Sequence, residues 1–523
     1  MMPSYPLHRS AAALVLALGA LACLPAAAAV PAHSKIGWVT ASTDAEVDKA
    51  FAQARQTGRP VYLYWGAVWC PPCNQVKATL FNRPDFAERS RAFIPVYVDG
   101  DRPGAQKIAS RFKVSGYPTM VVFRPDGTEI TRLPGEVDPQ RYLLTLSAAL
   151  NAQAPVKDLV ARAQAGQKLT DEQWNLLAFY SWDTDEQQVM PNAELGKRLG
   201  ELAAHVPANL PQLRDRLALK AIAARIDGPA DAAVAQADRA AVERMLADPE
   251  SVRQQWDQLS AVSDKFVKYL APDPTARVTL AASWEKALAR RISEGGLSNS
   301  EQVDGLYARV VLLKLAERSE TLSPARVAEM QKEVARVVAA TTDRYERQAV
   351  VPSAAHVLSR SGLLDASDAM LKAELPRAVA PYYHMLALAD NAKTRKDAKT
   401  ALSWYEQAWK ASEGPATRVQ WGTNYVRNII ELTPNDIQRI STASRAVVGG
   451  LEPKGETFFE RNQRSLQRMA KRMAEWQGAD ASRSQVVTQV RVDLEKVCKK
   501  VPAKDAGRGN CEQVFNAKEA TSS

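Results

Sequence analysis

The sequence predicts a two-part molecule: a small α/β unit near the N-terminus, then a much larger all-α array of irregular helical hairpins, a solenoid-like repeat. Three observations carry this. Short β-branched and aromatic runs alternate with helical stripes from Trp38 to about Leu150. From Val156 to about Arg491, apolar residues recur at three- and four-residue spacing in text rich in Ala, Leu, Arg, Glu and Gln. The length, 523 residues, exceeds what one ordinary core holds.

In the α/β part, Asp44 to Gln56 carries an apolar stripe (Ala45, Val47, Ala50, Phe51, Ala54) that ends at Gly58-Arg59-Pro60, as a helix does. Val61 to Trp65 is too short for a helix and placed like a buried strand. A helix is expected after the Cys-Pro-Pro-Cys segment, a strand over Phe93 to Val98 and a helix over Ala105 to Phe112. Met120 to Phe123 and Glu129 to Leu133 flank Pro125-Asp126-Gly127, a hairpin turn signal. Asp138-Pro139 opens a last helix to Leu150, with Pro139 in its first turn.

Beyond Pro155, Gly and Pro punctuation cuts the chain into hairpin-sized helical pieces. Ala401 to Ala408 resembles the second helix of a tetratricopeptide repeat, although no 34-residue period recurs. In the helix expected near Phe459 to Trp476, Phe459, Leu466, Met469, Met473 and Trp476 lie on one side and Arg461, Arg464, Arg468 and Arg472 on another. The arginines read as a solvated face, with an acidic partner or lipid headgroups as the alternative. The division expected is 30–150 for the α/β unit, 151–497 for the helical array and 498–523 for a C-terminal tail.

Residues 1–29 have the parts of a secretory leader: His8-Arg9, a leucine-rich uncharged run, Pro25, then Ala26 to Ala29. Cleavage near Ala27 to Ala29 and a periplasmic location are expected. A retained anchor is one alternative, and lipidation of Cys23, in a loose lipobox, is another that would bring membrane contact. A net charge of +10 is mild for this length, and no nucleic-acid partner is expected. With 46% hydrophobic and 24% charged residues, a polytopic membrane protein, a collagen-like fibre and a disordered chain are excluded.

Of five cysteines, Cys23 leaves with the leader and the rest form two local pairs. Cys498 and Cys511 enclose a Lys-, Gly- and Asn-rich loop with little apolar mass and read as a structural disulfide, or alternatively as an internal redox partner. Cys70 and Cys73, in Trp69-Cys70-Pro71-Pro72-Cys73, follow a strand and open a helix. Unpaired N–H groups and the positive helix end favour thiolate there, making Cys70 an exposed nucleophile and Cys73 the shielded resolving thiol. The alternatives to a redox pair are an inert structural disulfide and half of a zinc site; zinc would need a second Cys or His pair, which the scattered histidines do not supply, so neither metal nor cofactor is expected.

These residues resemble the thioredoxin-fold superfamily, in particular its exported thiol:disulfide interchange members. The matching elements are the Trp-Cys-Pro-Pro-Cys site, Phe81 with Asp85-Phe86, the strand ending in Asp99, Gly116-Tyr117-Pro118-Thr119 and Gly135. The resemblance covers about residues 38–150 and implies a mixed central sheet flanked by helices. It also implies a cis-proline at Pro118 and a substrate groove formed by Trp69, Tyr117, Pro118 and Thr119. Thiol-disulfide exchange on protein substrates follows, as reductase or isomerase rather than oxidase, with a membrane-bound redox partner for recharging. Two positions depart: Tyr64 stands where thioredoxins bury an aspartate, and Pro95 where its lysine partner is aligned. The rival expectation is a helical protein-binding scaffold in which the α/β unit is a docking module.

Overall fold

The computed structural model describes residues 36–135, 138–226, 228 and 231–516. The expected leader and Cys23 lie outside them. Five strands, β1 (Val39–Ala41), β2 (Val61–Gly66), β3 (Ile94–Asp99), β4 (Thr119–Phe123) and β5 (Glu129–Leu133), form one sheet in the order β1-β3-β2-β4-β5. β1, β3 and β2 are parallel, whereas β4 and β5 run antiparallel, so the sheet is mixed as expected. All six residues of β2 are buried, because both sheet faces are covered.

Alternation along β2 sorts its side chains between two cores. Val61, Leu63 and Trp65 pack with Val47 and Phe51 of α1 (Asp44–Thr57). Tyr62 and Tyr64 point to the other face, which α2 (Pro71–Val76), α3 (Pro84–Arg89) and the C-terminal helix of the unit cover. α4 (Ala105–Phe112) lies on the first face through Ile108, and α5 (Pro139–Leu150) on the second through Tyr142 and Leu146. Side-chain caps close the starts of two of these helices. Thr43 and Glu46 close a capping box on α1, and Asp138 accepts from the Gln140 and Arg141 N–H groups at the start of α5. β1 was not foreseen, since three residues give no period to read.

From Val156 to Glu512 the described chain is helical, its successive helices packing on one another. This array is not appended at one end. The Tyr62 and Tyr64 core continues without a break into Val156, Leu159, Trp174, Leu177 and Leu217. Buried Arg132 of β5 stitches the same seam, donating to the carbonyls of Phe112, Lys113 and Thr184. Farther on, the array returns to the α/β unit: the helix Arg344–Arg360 packs on α2 and the helix Glu460–Gln477 on α4.

Cys498 and Cys511 are disulfide-bonded, joining the helix Ala481–Lys500 to the helix Ala506–Glu512. The expectation of little apolar mass around them fails, because both pack into a core with Phe458, Leu494, Val501 and Val514. Short apolar residues separated by turns give no sequence period from which such a core can be read. No described helix is long and apolar enough to cross a membrane.

Candidate redox site

Cys70 caps the N-terminus of α2 and is disulfide-bonded to Cys73 one turn later. Prolines at the first two helical positions keep their preferred φ but bring no N–H. The first amide able to face the sulfur is therefore that of Cys73, which donates to Cys70 Sγ at 3.2 Å. Buried Asn74 fixes the loop by donating to the carbonyls of Val68 (2.7 Å) and Cys70 (2.9 Å). The Tyr117–Pro118 peptide is cis. Gly135 lies so close to Pro118 that a Cβ there would sit 3.0 Å from the proline ring, which accounts for a glycine at that position.

Tyr64 is buried, its hydroxyl has no hydrogen-bond partner, and burial holds its pKa far above the phenol range. It therefore stays protonated and cannot accept a proton from Cys73. Across the strand pair Tyr64 faces Tyr97, not Pro95, and the two rings stack at 5.2 Å. A carboxylate reappears two residues along the same face of β3: Asp99, whose pKa burial raises. Lys77, one turn past Cys73 and itself lowered by burial, and Arg102 pull the other way.

The expected exposed nucleophile is not exposed. Cys70 is 2% and Cys73 0% accessible, because the helical array folds back over them. Ala380, Tyr382, Ala408 and Trp421 share one apolar cluster with Ala67, Trp69 and both cysteines. Tyr383 stacks on Trp69 at 6.1 Å and 17°, and Trp421 meets the same indole edge-on at 5.7 Å. Gln348 donates to the Trp69 carbonyl at 3.4 Å and accepts from the Ala380 N–H at 3.1 Å. Arg461, expected in a solvated stripe, instead lies over Trp69 (4.7 Å) and Tyr117 (4.8 Å), its guanidinium pKa lowered by burial. Arg464 turns the same way, reaching the Ser115 carbonyl.

Asp101 joins the two parts. It accepts from Trp69 Nε1 at 2.8 Å and from the Thr417 hydroxyl at 2.5 Å. Burial pushes its pKa up to about 6, with Thr417, Trp69 and Arg461 pulling the other way and Asp99 adding to the rise. Gly414 makes this approach possible: a Cβ there would lie 2.7 Å from Asp101 Cβ. Gln348, Tyr383, Thr417, Trp421 and Arg461 were not singled out as site residues from sequence. Each sits in an ordinary amphipathic helix, and only the path of the chain brings them to Cys70. Of the expected groove residues, buried Trp69 and partly buried Tyr117 share the apolar cluster of the cysteines, cis-Pro118 follows Tyr117, and Thr119 is buried at the start of β4.

Residues 47–150 match the family model of the thioredoxin-like domain. The thioredoxin of Mycolicibacterium smegmatis is 30% identical over 110 residues, 21% of this chain and 96% of its own. The chain belongs to the thioredoxin-like family. The thiol:disulfide interchange protein DsbD 1 of Pseudomonas aeruginosa is 30% identical over 140 residues, 26% of this chain. The match spans 22% of that relative's length, so the chain covers only about a fifth of it. Oxidised thioredoxin O1 of Arabidopsis thaliana is similar in structure at 22% identity and a TM-score of 0.19, covering 22% of this chain and 99% of that one. The thioredoxin-like assignment concerns the first part of the molecule, and the helical array that closes over its cysteines lies beyond residue 150.

Proposed function

We propose that this thioredoxin-like protein is a thiol-disulfide oxidoreductase of the periplasm, acting on protein disulfides as a reductase or isomerase. The observation that carries the reading is Cys70 at a helix N-terminus, its sulfur bonded to Cys73 and receiving the Cys73 N–H. Relatives named as thiol:disulfide interchange proteins support it. The Cys70 thiolate attacks a client disulfide, forming a Cys70–client bond and expelling the second client sulfur as thiolate. Cys73 thiolate then attacks Cys70 Sγ, releasing the first client sulfur and closing the Cys70–Cys73 bond. Two electrons have passed to the client, and a membrane-bound donor returns them. Trp69, Tyr117, Pro118 and Thr119 shape the client groove, and Cys498–Cys511 is structural. Residues 1–29 serve as leader, 30–150 as the redox domain, 151–497 as the array that selects clients or docks the donor, and 498–523 as the tail.

The deep burial of Cys70 favours a second reading, in which the helical array is a binding scaffold and the α/β domain a docking module with little redox role. The reduction potential of the pair separates the two, measured against glutathione with Cys498 and Cys511 changed to Ser. A value near about −270 mV supports a reductase and one near about −120 mV an oxidase. Failure to exchange with either reagent at all, dithiothreitol as well as glutathione, supports the scaffold.

A further inference from the structure

Disulfide exchange requires a client sulfur in contact with Cys70 Sγ. The front of the site is closed to it by Gln348, Tyr383 and Trp421, which lie on the Trp69 backbone and ring. Beside that cover, a cavity of about 670 Å³ opens against Pro71 and Pro72, the two residues between the sulfurs. Tyr383 and Trp421 belong to both the cover and the cavity wall. The volume suits a small molecule or a single short stretch of chain and cannot take a folded domain.

The chemistry of the wall narrows the occupant. Among the described residues no Lys or Arg lines the cavity, although the protein as a whole carries a net charge of +10. Carboxylates do line it. Glu301 accepts from the Ser298 N–H (2.8 Å) and hydroxyl (2.7 Å), and Asp390 from the Tyr405 hydroxyl (2.5 Å), all uncharged donors that leave the negative charge in place. Asp257 differs, being neutralised by Arg216 behind the wall at 2.6 Å. Such walls repel an anionic client and favour a neutral or cationic one.

We infer that this cavity holds the client chain beside the groove at Trp69, whose ring Tyr383 and Trp421 of the cavity wall contact, that it takes an extended, cysteine-bearing segment of neutral or positive charge, and that the cover withholds Cys70 from folded surfaces. The inference rests on the oxidoreductase reading. Clients of this kind are unfolded or locally frayed chains, and an anionic tripeptide such as glutathione is a poor substrate.

The test uses the reduced full-length protein and three small disulfides: cystamine, which is cationic; 2-hydroxyethyl disulfide, which is neutral; and oxidised glutathione, which is anionic. Oxidation of the Cys70/Cys73 dithiol is followed by quenched mass spectrometry, each rate being divided by that of the same disulfide with free dithiothreitol. The expected order is cystamine, hydroxyethyl disulfide, glutathione, with at least about tenfold between the ends at low salt and a smaller gap at high salt. In parallel, N-ethylmaleimide is expected to alkylate the dithiol at least about tenfold faster than a maleimide carrying a long polyethylene glycol chain, the open state being a minor population. Tyr383→Ala with Trp421→Ala should abolish the size discrimination, and Asp390→Asn should narrow the charge discrimination. Equal normalised rates for the three disulfides overturn the cleft, and equal alkylation by both maleimides overturns the cover. Both comparisons are made in the unmutated protein, so a variant that fails to fold cannot hide the result. A dithiol that N-ethylmaleimide alkylates but no disulfide oxidises refutes the oxidoreductase reading itself, and the cleft with it.

Discussion

The two disulfides are alike in burial and opposite in helix polarity. Cys70 and Cys73 are 2% and 0% accessible, and Cys498 and Cys511 are 2% and 1%. Cys70 stands at the N-terminus of its helix, where the Cys73 N–H meets the sulfur. Cys498 stands in the last turn of the helix Ala481–Lys500, among outgoing carbonyls, with Lys499 and Lys500 beside it. The positive helix end stabilises a thiolate and the negative end does not. Burial therefore does not separate a redox pair from a staple; the field at the sulfur does.

The sharpest way to break this contrast is Cys70→Ser. It should abolish turnover of a peptide disulfide outright, whereas Cys498→Ser with Cys511→Ser should leave turnover intact, as an assay of both proteins side by side would show. The staple's loss should appear instead as about 3 kcal/mol of stability in denaturant melts, the entropy of a loop of this length. Unchanged melting of that double variant would mean the C-terminal core holds without its disulfide.

Smaller in effect is the pH response of Asp101. Its folded-state pKa, raised to about 6 from 3.8, means the folded protein binds a proton that the unfolded chain has released between these values. Asp101's contribution to stability is thus complete below about pH 4 and is lost as pH rises through about 6. Because Asp101 bridges Trp69 and Thr417, the cover should protect the dithiol from alkylation better at pH 5 than at pH 8, after correction for thiolate content. Asp101→Asn should flatten this difference, and a variant that keeps the full pH response would place the titration elsewhere. The smallest change expected is that of Tyr64→Phe. Removing a buried hydroxyl without a partner should be neutral or stabilising by less than about 1 kcal/mol and leave exchange rates unaltered. A marked loss of rate would show that the tyrosine does take part in proton transfer.

Local order was legible in the sequence wherever local chemistry decides it. The Pro125-Asp126-Gly127 hairpin, the α5 cap at Asp138 and the Cys70 helix start each follow from a few neighbouring residues, and the structure places all three. The cover was not legible. Arg461 occupies a regular basic stripe, and nothing within its own helix distinguishes a side chain facing solvent from one lying on Trp69. The same holds for Gln348, which is 279 residues from the carbonyl it binds. Long-range closure depends on the summed angles of many helix pairs, and periodicity encodes which side of a helix is apolar but not where that side ends up.

The core that runs from Tyr62 and Tyr64 through Trp174 to Leu217 has a practical consequence. A chain cut at residue 150 would not liberate an independent thioredoxin. It would strip partners from Tyr142 and Leu146 and leave an oily face on a fragment prone to aggregate. Heating the intact protein should melt the α/β domain and the first helices together, as a single cooperative event. Swapping this domain onto another carrier, or trimming the helices away to obtain a simpler enzyme, would thus dismantle the fold that the experiment meant to preserve.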